Sequence, residues 1–266
     1  MDLKILFNWL KEYINIDLTV DNFAKKVSKH GVSLEKWYYL ENLNDFLLNI
    51  EITPNRVDMA SVIGVANEVK AILNTQLLKN PYILKNIQTN NLSPIQIEVR
   101  DQNLCKRYQG IVIKNVLVQE SPKWLKDRIE SAGFNSINNI VDITNYVLLE
   151  YGQPIHAFDF DAIKGDKIIV RNAEEGELFY AIGGGEYKLR SSDLVIADTD
   201  KILALAGVKG GSFAEVTYKT KNIFIECANF DPVSVRKTSR YHSLITDASL
   251  LFENCLLYTS PSPRDS

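Results

Sequence analysis

A single acidic side chain interrupts one of the most apolar stretches of the sequence. Glu226 lies within residues 222–230 (NIFIECANF), where strand alternation would place Phe224, Glu226 and Ala228 on one face. A buried carboxylate is costly unless a hydrogen-bond donor reaches it, so at this position it would accept from a polar ligand. The residues alone favour the alternative, an edge-strand glutamate that faces water.

A second polar group lies between residues 138 and 161. Thr144, Asn145 and His156 stand among apolar residues at helical spacing, which predicts a helix of about four turns, ended by Gly152, and then a short extended segment. These side chains would face one pocket, where they would bind a ligand or orient water. Taken alone, they favour a simpler interpretation, in which Asn145 caps a backbone group and His156 is a hydrogen-bonded core histidine.

Two glycine runs are candidates for close backbone approach to a ligand. Residues 183–185 (GGG) stand between two short strands and predict a hairpin turn rather than a phosphate cradle. Residues 207–211 (GVKGG) follow a strand but lack the GK[ST] ending of a P-loop. Exposed backbone N–H groups for a ligand and a tight bend between strands remain equally good interpretations of this second run.

Composition excludes several classes of protein. The 266 residues are 45% hydrophobic and 24% charged with a net charge of −3, which is typical of a globular chain without a strong nucleic-acid footprint. No apolar run approaches the roughly 20 residues of a membrane span, and the N-terminus has no secretory pattern. The three cysteines are widely spaced, so we expect no zinc site and a reducing, cytoplasmic setting.

Hydrophobic periodicity predicts the elements that must position these groups. Helices are predicted at 3–13, from 19 to about 30, after an Asp58 cap, after Ser121-Pro122, at 138–150 and at 232–239. Strands are predicted at 32–39, 46–53, 95–100, 108–118, 167–171, 178–181, 187–189, 194–197, 203–208 and 223–228. The pattern predicts an α+β fold: a small N-terminal helical/α+β domain at 1–75, a linker at 76–94, and a mostly antiparallel, β-rich domain at 95–253.

Five long motifs occur in a fixed order along the chain. They are ITPNRVDMASVIGVANEV from Ile52, INNIVDITNYVLLEYGQPIHAFD from Ile137, ALAGVKGG from Ala204, IECANFDPVSVRKTS from Ile225 and TDASLLFE from Thr246. Together they resemble the β subunit of bacterial phenylalanyl-tRNA synthetase, over nearly the whole chain up to about Glu253. The resemblance identifies the chain as an N-terminal fragment of that subunit, with a B1-like first domain and the B3/B4 editing domain.

The resemblance implies an activity for the complete enzyme. It is a class II aminoacyl-tRNA synthetase, an α2β2 heterotetramer in the cytoplasm that charges tRNA(Phe) with phenylalanine and requires ATP and Mg²⁺. The expected partners are therefore the α subunit and tRNA(Phe), with no membrane, and no cofactor is expected to bind this chain itself. The B3/B4 domain of the family hydrolyses tyrosine that is wrongly attached to this tRNA.

The resemblance also implies how tyrosine is recognised. A pocket made for phenylalanine rejects an analogue with an added hydroxyl only weakly, by ~10²-fold in a comparable case, so a second site must prefer the hydroxyl. The family pattern assigns Glu226 to the tyrosine hydroxyl, with Ala228 and Ala206 leaving room for the ring.

The remaining assignments concern the reaction. His156, Thr144 and Asn145 match family positions that bind the substrate or place the attacking water, and they are the expected catalytic residues. The backbone around Gly207 matches the segment that contacts the scissile end. The implied reaction is ester hydrolysis by a positioned water, without a metal and without a covalent nucleophile.

The sequence departs from the family in four places. Only a few residues stand between Tyr39 and Phe46, where most bacterial members insert a tRNA-binding OB domain. Asn135-Ser136 stand where the family often has Arg-Pro, which removes a candidate substrate contact. The hairpin at 182–186 is unusually rich in glycine, and residues 254–266 match no family segment and are expected to be a non-native tail.

Three hypotheses follow. The first is an editing-competent β-subunit fragment, favoured by the retention of Thr144, Asn145, His156 and Glu226. The alternative is a structural, tRNA-supporting subunit whose editing site has decayed, as Asn135 would suggest. A free-standing editing domain acting in trans is disfavoured because the N-terminal region and its NRVD motif belong to the architecture of the subunit.

Overall fold

A computed structural model describes residues 2–80 and 95–254. The chain forms two compact units: the first comprises the described parts of 1–88, 121–137 and 145–153, and the second those of 89–120, 138–144 and 154–266. Most of the predicted linker at 76–94, and all but Asn254 of the predicted tail, lie outside the described residues. The domain boundaries drawn from the sequence stay a prediction.

The first unit is built around a three-stranded antiparallel sheet of order β1-β3-β2. Its strands are β1 (Asp2–Leu6), β2 (Ser33–Leu40) and β3 (Asp45–Glu51). Its helices are α1 (Phe7–Lys11), α2 (Val20–Ser28), α3 (Val62–Leu73), α4 (Lys123–Ser131) and the second half of α5 (Asn139–Tyr151), with a 3-10 turn at Val57–Met59.

Two predictions in this unit are wrong. The helix predicted at 3–13 begins as strand β1, because Leu3 and Ile5 alternate inward with exposed neighbours and only residues 7–11 are helical. The residue that caps α3 is Ser61 rather than Asp58: the Ser61 Oγ accepts a hydrogen bond from the backbone N–H of Gly64 at 3.0 Å.

A buried glutamate joins three aromatic side chains of the first unit. Glu150 accepts hydrogen bonds from the hydroxyl of Tyr13, from the hydroxyl of Tyr146 at 2.6 Å, and from Trp9 Nε1 at 3.5 Å. Arg128 stacks over the Trp9 ring, with its guanidinium carbon 4.9 Å from the ring centroid, and donates to the Tyr146 hydroxyl at 3.2 Å. The Oε1 atom of Glu150 thus accepts from three side chains, which offsets the cost of burying an acidic group.

The second unit contains most of the strands. They are β4 (Gln96–Val99), β5 (Cys105–Ile113), β6 (Ile155–Asp159), β7 (Lys167–Asn172), β8 (Leu178–Tyr180), β9 (Glu186–Lys188), β10 (Leu194–Ala197), β11 (Ile202–Leu205), β12 (Lys209–Gly210) and β13 (Ile223–Phe230). Its own helices are α6 (Pro232–Tyr241) and α7 (Asp247–Glu253), with 3-10 turns at Phe160–Ala162, Lys164–Asp166 and Ser212–Ala214. Helix α7 was not predicted.

These strands form a five-stranded sheet of order β12-β11-β10-β7-β4, a three-stranded sheet of order β5-β13-β6, and the hairpin β8-β9. The described strand pairs are antiparallel apart from β4 with β7, so the α+β class with a mostly antiparallel core is confirmed. Residues 183–185 have φ angles of 82°, 100° and 103°, and they form the predicted hairpin turn, where glycine is favoured.

Side-chain hydrogen bonds and left-handed residues mark where α5 begins and where β5 ends. Asn138 begins the helix, because its Oδ1 accepts from the backbone N–H groups of Ile140 and Val141 at 3.0 Å each. Gly152, with φ of 78°, follows the helix as predicted. The strand predicted at 108–118 is wrong in its bounds: β5 ends at Ile113, and Asn115 adopts a left-handed φ of 58°.

Candidate functional site

The candidate site is built on the central strand of the β5-β13-β6 sheet. Residues 224, 226, 228 and 230 of β13 are buried, whereas 225, 227 and 229 are partly exposed, which confirms the predicted alternation. Glu226 pairs with His156 of β6 on one side and with Gly110 of β5 on the other. Glu226 therefore does not lie on an edge strand facing water, and it shares its face of the sheet with His156.

A cavity of about 90 Å³ opens at this pair. Among the lining residues, the side chains with polar or charged groups are those of His156, Lys209 and Glu226; apolar walls come from residues such as Leu205 and Phe230. An engineered apolar cavity of about 150 Å³ holds benzene. A phenol ring would therefore enter this smaller cavity only with some widening of its walls.

Glu226 is a buried acid without a hydrogen-bond partner among the described residues. Its exposed fraction is 6%, and within the described part of the chain no hydrogen bond to its carboxyl group contributes to its ionisation. Burial raises the pKa of Glu226 to about 8, because the ionised form loses its hydration without gaining a donor. At neutral pH the group is mostly a protonated carboxylic acid, able both to donate and to accept.

His156 presents a neutral imidazole to the same cavity. Its Nε2 atom is buried and has no hydrogen-bond partner among the described residues. Burial, and then the positive charge of Lys209, lower the pKa of His156 to about 4. Gly210 backs the ring closely, since a Cβ atom there would lie 2.8 Å from His156 Cε1 and 2.9 Å from Nε2.

Two residues that the sequence did not single out adjoin Glu226. Tyr108 of β5 pairs with Ala228, diagonal to Glu226, and its hydroxyl is buried without a partner among the described residues. Burial, and then the charge of Glu226, raise the pKa of Tyr108. Gly110 leaves room for the Phe224 ring, which a Cβ atom at 110 would meet at 2.0 Å. In the sequence, the alternation of Tyr108 and Gly110 about Gln109 could have indicated that both residues share one face of a strand.

The structure brings together some of the predicted site residues. His156, Glu226 and Gly207 line the cavity, and Gly207 has a φ of 69°. Ala206 and Ala228 are buried but are not lining residues, and neither are Thr144 and Asn145. The Thr144 hydroxyl donates to the carbonyl oxygen of Val141 at 2.7 Å, and Asn145 belongs to the first unit. The roles assigned to these residues stay predictions.

Within residues 2–80 and 95–254, no group of three or more His, Cys, Asp or Glu side chains is arranged to hold a metal ion. In the same residues, no helix is both long enough and apolar enough to cross a membrane.

Comparison with known proteins gives the family. The B3/4 domain family matches residues 104–257. The phenylalanine–tRNA ligase β subunit of Carboxydothermus hydrogenoformans is 51% identical over 224 residues, which are 84% of this chain and 27% of that protein. The corresponding subunit of Protochlamydia amoebophila is 46% identical over 237 residues, 88% of this chain and 29% of that protein.

A solved N-terminal fragment of the phenylalanyl-tRNA synthetase β subunit from Pyrococcus horikoshii is also similar. It has a TM-score of 0.47 at 15% identity and covers 96% of this chain and 74% of its own. The chain spans between 27 and 29% of the length of the two sequence relatives. On the domain match and these identities, the chain belongs to the family of phenylalanine–tRNA ligase β subunits and carries its B3/4 domain.

Proposed function

We propose that the cavity at Glu226 and His156 hydrolyses tyrosine from mischarged tRNA(Phe). The observation that carries this proposal is a buried carboxyl group with no described hydrogen-bond partner, in a mostly apolar cavity and directly across the strand pair from an imidazole whose Nε2 atom also has none. Such a cavity binds an aromatic ring with a hydroxyl more tightly than a ring without one. This is the selectivity that an editing site for tyrosine needs.

The selectivity follows from hydrogen bonding. Tyrosine would donate its phenol O–H to Glu226, or accept from the carboxylic acid, whereas phenylalanine would leave this buried group unpaired. A site built around a hydrogen bond rejects an analogue that lacks the partner far more strongly than an apolar pocket rejects an extra group. Glu226 therefore selects the substrate and takes no part in bond breaking.

The reaction is the addition of water to an ester. The water oxygen bonds to the ester carbonyl carbon, the bond from that carbon to the ribose oxygen breaks, and the proton of the water passes to the departing ribose oxygen. With a pKa of about 4, His156 is a weak base, so its role is to accept a hydrogen bond and orient the water. Lys209, which also lines the cavity, would stabilise the negative charge that develops on the carbonyl oxygen.

The wider activity is proposed from the relatives. Their shared name is phenylalanine–tRNA ligase β subunit, and on that basis the chain acts within a ligase that charges tRNA(Phe) with phenylalanine. The α subunit and tRNA(Phe) are the partners in this proposal, in a cytoplasmic α2β2 assembly. ATP and Mg²⁺ would serve the charging reaction rather than the cavity at Glu226.

Deacylation of Tyr-tRNA(Phe) and Phe-tRNA(Phe) by the full chain, alone and in the assembled ligase, tests the editing proposal. For Glu226→Ala we expect the Tyr-tRNA rate to fall about 10- to 100-fold, as loss of a buried hydrogen bond worth about 1–3 kcal/mol implies, with little change in the slow Phe-tRNA rate. Glu215→Ala is the matched control, because Glu215 is an exposed glutamate of the same unit.

Equal loss on both substrates would contradict the assigned role, since selectivity would then not depend on Glu226. If the unmodified chain and ligase fail to hydrolyse Tyr-tRNA, the alternative of a structural, tRNA-supporting chain with a decayed site is the better description.

A further inference from the structure

The exposed face of α6 carries a stripe of cations. Val233, Arg236, Lys237 and Arg240 recur at helical spacing and are exposed, while the opposite face, which includes Val235, is buried. Arg236 and Lys237 form no ion pair with any residue that the structure describes. Because no described carboxylate pairs with these two adjacent cations, both are available to an anionic partner.

A fourth cation is fixed beside this stripe. Arg190, in the segment between β9 and β10, donates to Asp193 Oδ1 at 2.7 Å and to the carbonyl oxygen of Lys237 at 3.5 Å. Its guanidinium carbon lies 3.7 Å from the centroid of the Tyr241 ring. Burial raises the pKa of Asp193, but the hydrogen bonds from Arg190, His242 and Thr238 outweigh it and lower that pKa to about 2. Asp193 is therefore ionised at neutral pH and pairs with Arg190.

These residues enclose a groove of about 610 Å³ with a positive charge. It is lined by Arg190, Pro232, Val233, Arg236, Lys237, Arg240 and Glu253. Four cations stand against two carboxylates, Glu253 in the groove and Asp193 behind Arg190, so the formal balance is +2. Arginine side chains bind phosphate with two parallel hydrogen bonds, so the groove suits a partner that carries phosphate groups.

The basic groove adjoins the cavity at Glu226 through two shared elements. Phe230 and Phe252 line that cavity, and their ring centroids are 5.3 Å apart. Pro232 and Glu253, which follow them on the same two chain segments, line the groove. The lining residues of the groove and of the cavity are thus neighbours along these two segments.

We propose that the basic groove binds the phosphate backbone of the single-stranded end of the tRNA whose ester occupies the cavity at Glu226. This inference rests on the proposed function for its substrate. Four residues along α6 advance about 6 Å, so Arg236 and Arg240 are spaced comparably with neighbouring phosphates of an extended strand. Positively charged grooves that follow the backbone are a general means of holding single strands.

The test compares two neutralised pairs in the full chain. Arg236→Gln/Lys237→Gln removes the two unpaired cations of the groove, and Lys219→Gln/Lys221→Gln removes two exposed lysines of the same unit. Binding of tRNA(Phe) is measured between 50 and 200 mM salt. We expect the groove pair to weaken binding on the order of tenfold and to reduce the slope of log K against log salt by about 1.4, since each single-strand phosphate contact contributes about 0.7.

A second measurement separates the groove from the cavity. Tyrosyl-adenosine carries the ester without any phosphate, so its hydrolysis should be the same in the groove pair and the unmodified chain. The KM for Tyr-tRNA(Phe) should rise in the groove pair while kcat is kept. If the unmodified chain hydrolyses neither substrate, the proposed function fails but the tRNA-binding comparison still decides the groove.

Three outcomes would overturn the inference. They are an unchanged salt slope in the groove pair, an equal change in the control pair, and a loss of tyrosyl-adenosine hydrolysis that matches the loss on tRNA. Thermal unfolding of both pairs checks folding, and the single variants Arg236→Gln and Lys237→Gln replace the pair if it is unstable.

Discussion

Two glutamates of this chain are almost equally buried but differ in their hydrogen-bond partners. Glu150 of the first unit is 7% exposed and Glu226 of the second is 6% exposed. Glu150 accepts hydrogen bonds from Tyr13, Tyr146 and Trp9, whereas Glu226 has no partner in the described part of the chain. Burial alone therefore does not identify a functional acid; burial without a donor does, because the fold has left a cost that a ligand can remove.

The same contrast appears in the ionisation of the surrounding groups. Burial, together with the hydrogen bond to Glu150, raises the pKa of Tyr13 and of Tyr146, so both phenols remain protonated donors. At Glu226 burial acts without compensation, and the pKa of the acid itself rises to about 8. In the first unit the pKa values of the tyrosines next to the acid are raised, whereas in the second unit the pKa of the acid itself is raised.

The largest effect should come from removing the partnered acid. In Glu150→Ala, up to three buried donors lose their acceptor, and we expect the free energy of unfolding to fall by about 3–5 kcal/mol. Urea unfolding measures this, with the exposed Glu41→Ala as a control expected within about 0.5 kcal/mol of the unmodified chain. A loss below about 1 kcal/mol would remove the distinction between the two glutamates.

Glu226, the acid without a partner, should make the stability of the folded chain depend on pH. Between its ordinary pKa and about 8, the folded chain holds a proton on Glu226 that the unfolded chain has lost, so stability falls as pH rises. The pKa of His156, lowered to about 4, works in the other direction up to its ordinary value of 6.5. The net decline should therefore be visible between pH 6.5 and 8.

Glu226→Gln tests this, because glutamine has a similar shape and does not titrate. The unmodified chain should lose about 1–2 kcal/mol across this interval, which is less than the limiting slope of about 1.4 kcal/mol per pH unit allows because Glu226 begins to ionise near pH 8, and the variant should lose much less. Urea unfolding at several pH values measures it. Glu150→Gln is the control that should keep the decline, and a decline that persists in Glu226→Gln would assign it to another group.

The smallest effects should distinguish the two tyrosines that adjoin these acids. Tyr146→Phe removes a hydroxyl that donates to Glu150 and accepts from Arg128, and should cost about 1–2 kcal/mol. Tyr108→Phe removes a hydroxyl with no described partner and should change stability by less than about 0.5 kcal/mol in either direction. Unfolding of the two matched variants measures the difference. Equal costs would mean that the Tyr108 hydroxyl is partnered in solution.

The sequence predicted those parts of the site that depend on local periodicity. Alternation along one strand was enough to place Phe224, Glu226 and Ala228 on the same face, because the side-chain period of a strand is two whatever surrounds it. The pairing of Glu226 with His156 depends on strand register between distant segments, and only the family resemblance linked them. From the residues alone, an edge strand is the better interpretation, and the pairing of β13 on both sides shows that interpretation to be wrong.

Other features were beyond local patterns. The apolar spacing at the N-terminus fits a helix and a strand about equally, and contacts within the first unit select the strand at 2–6. Tyr108 has no motif that marks it, because its interest comes from a missing partner rather than from its type. The basic groove joins α6 to Arg190, and neither stretch of sequence is remarkable for charge when it is considered separately.

The central position of β13 has a consequence for how this region can change. Residues 223–227 of β13 pair with a strand on each side, so the main chain beneath Glu226 is held by two hydrogen-bonded ladders rather than by the acid's own contacts. The side chain at 226 can gain or lose a proton, or be replaced, without its attachment point moving. The position of residue 226 therefore depends on the backbone pairing and not on which side chain it carries. A substitution there can alter substrate preference while the fold stays intact.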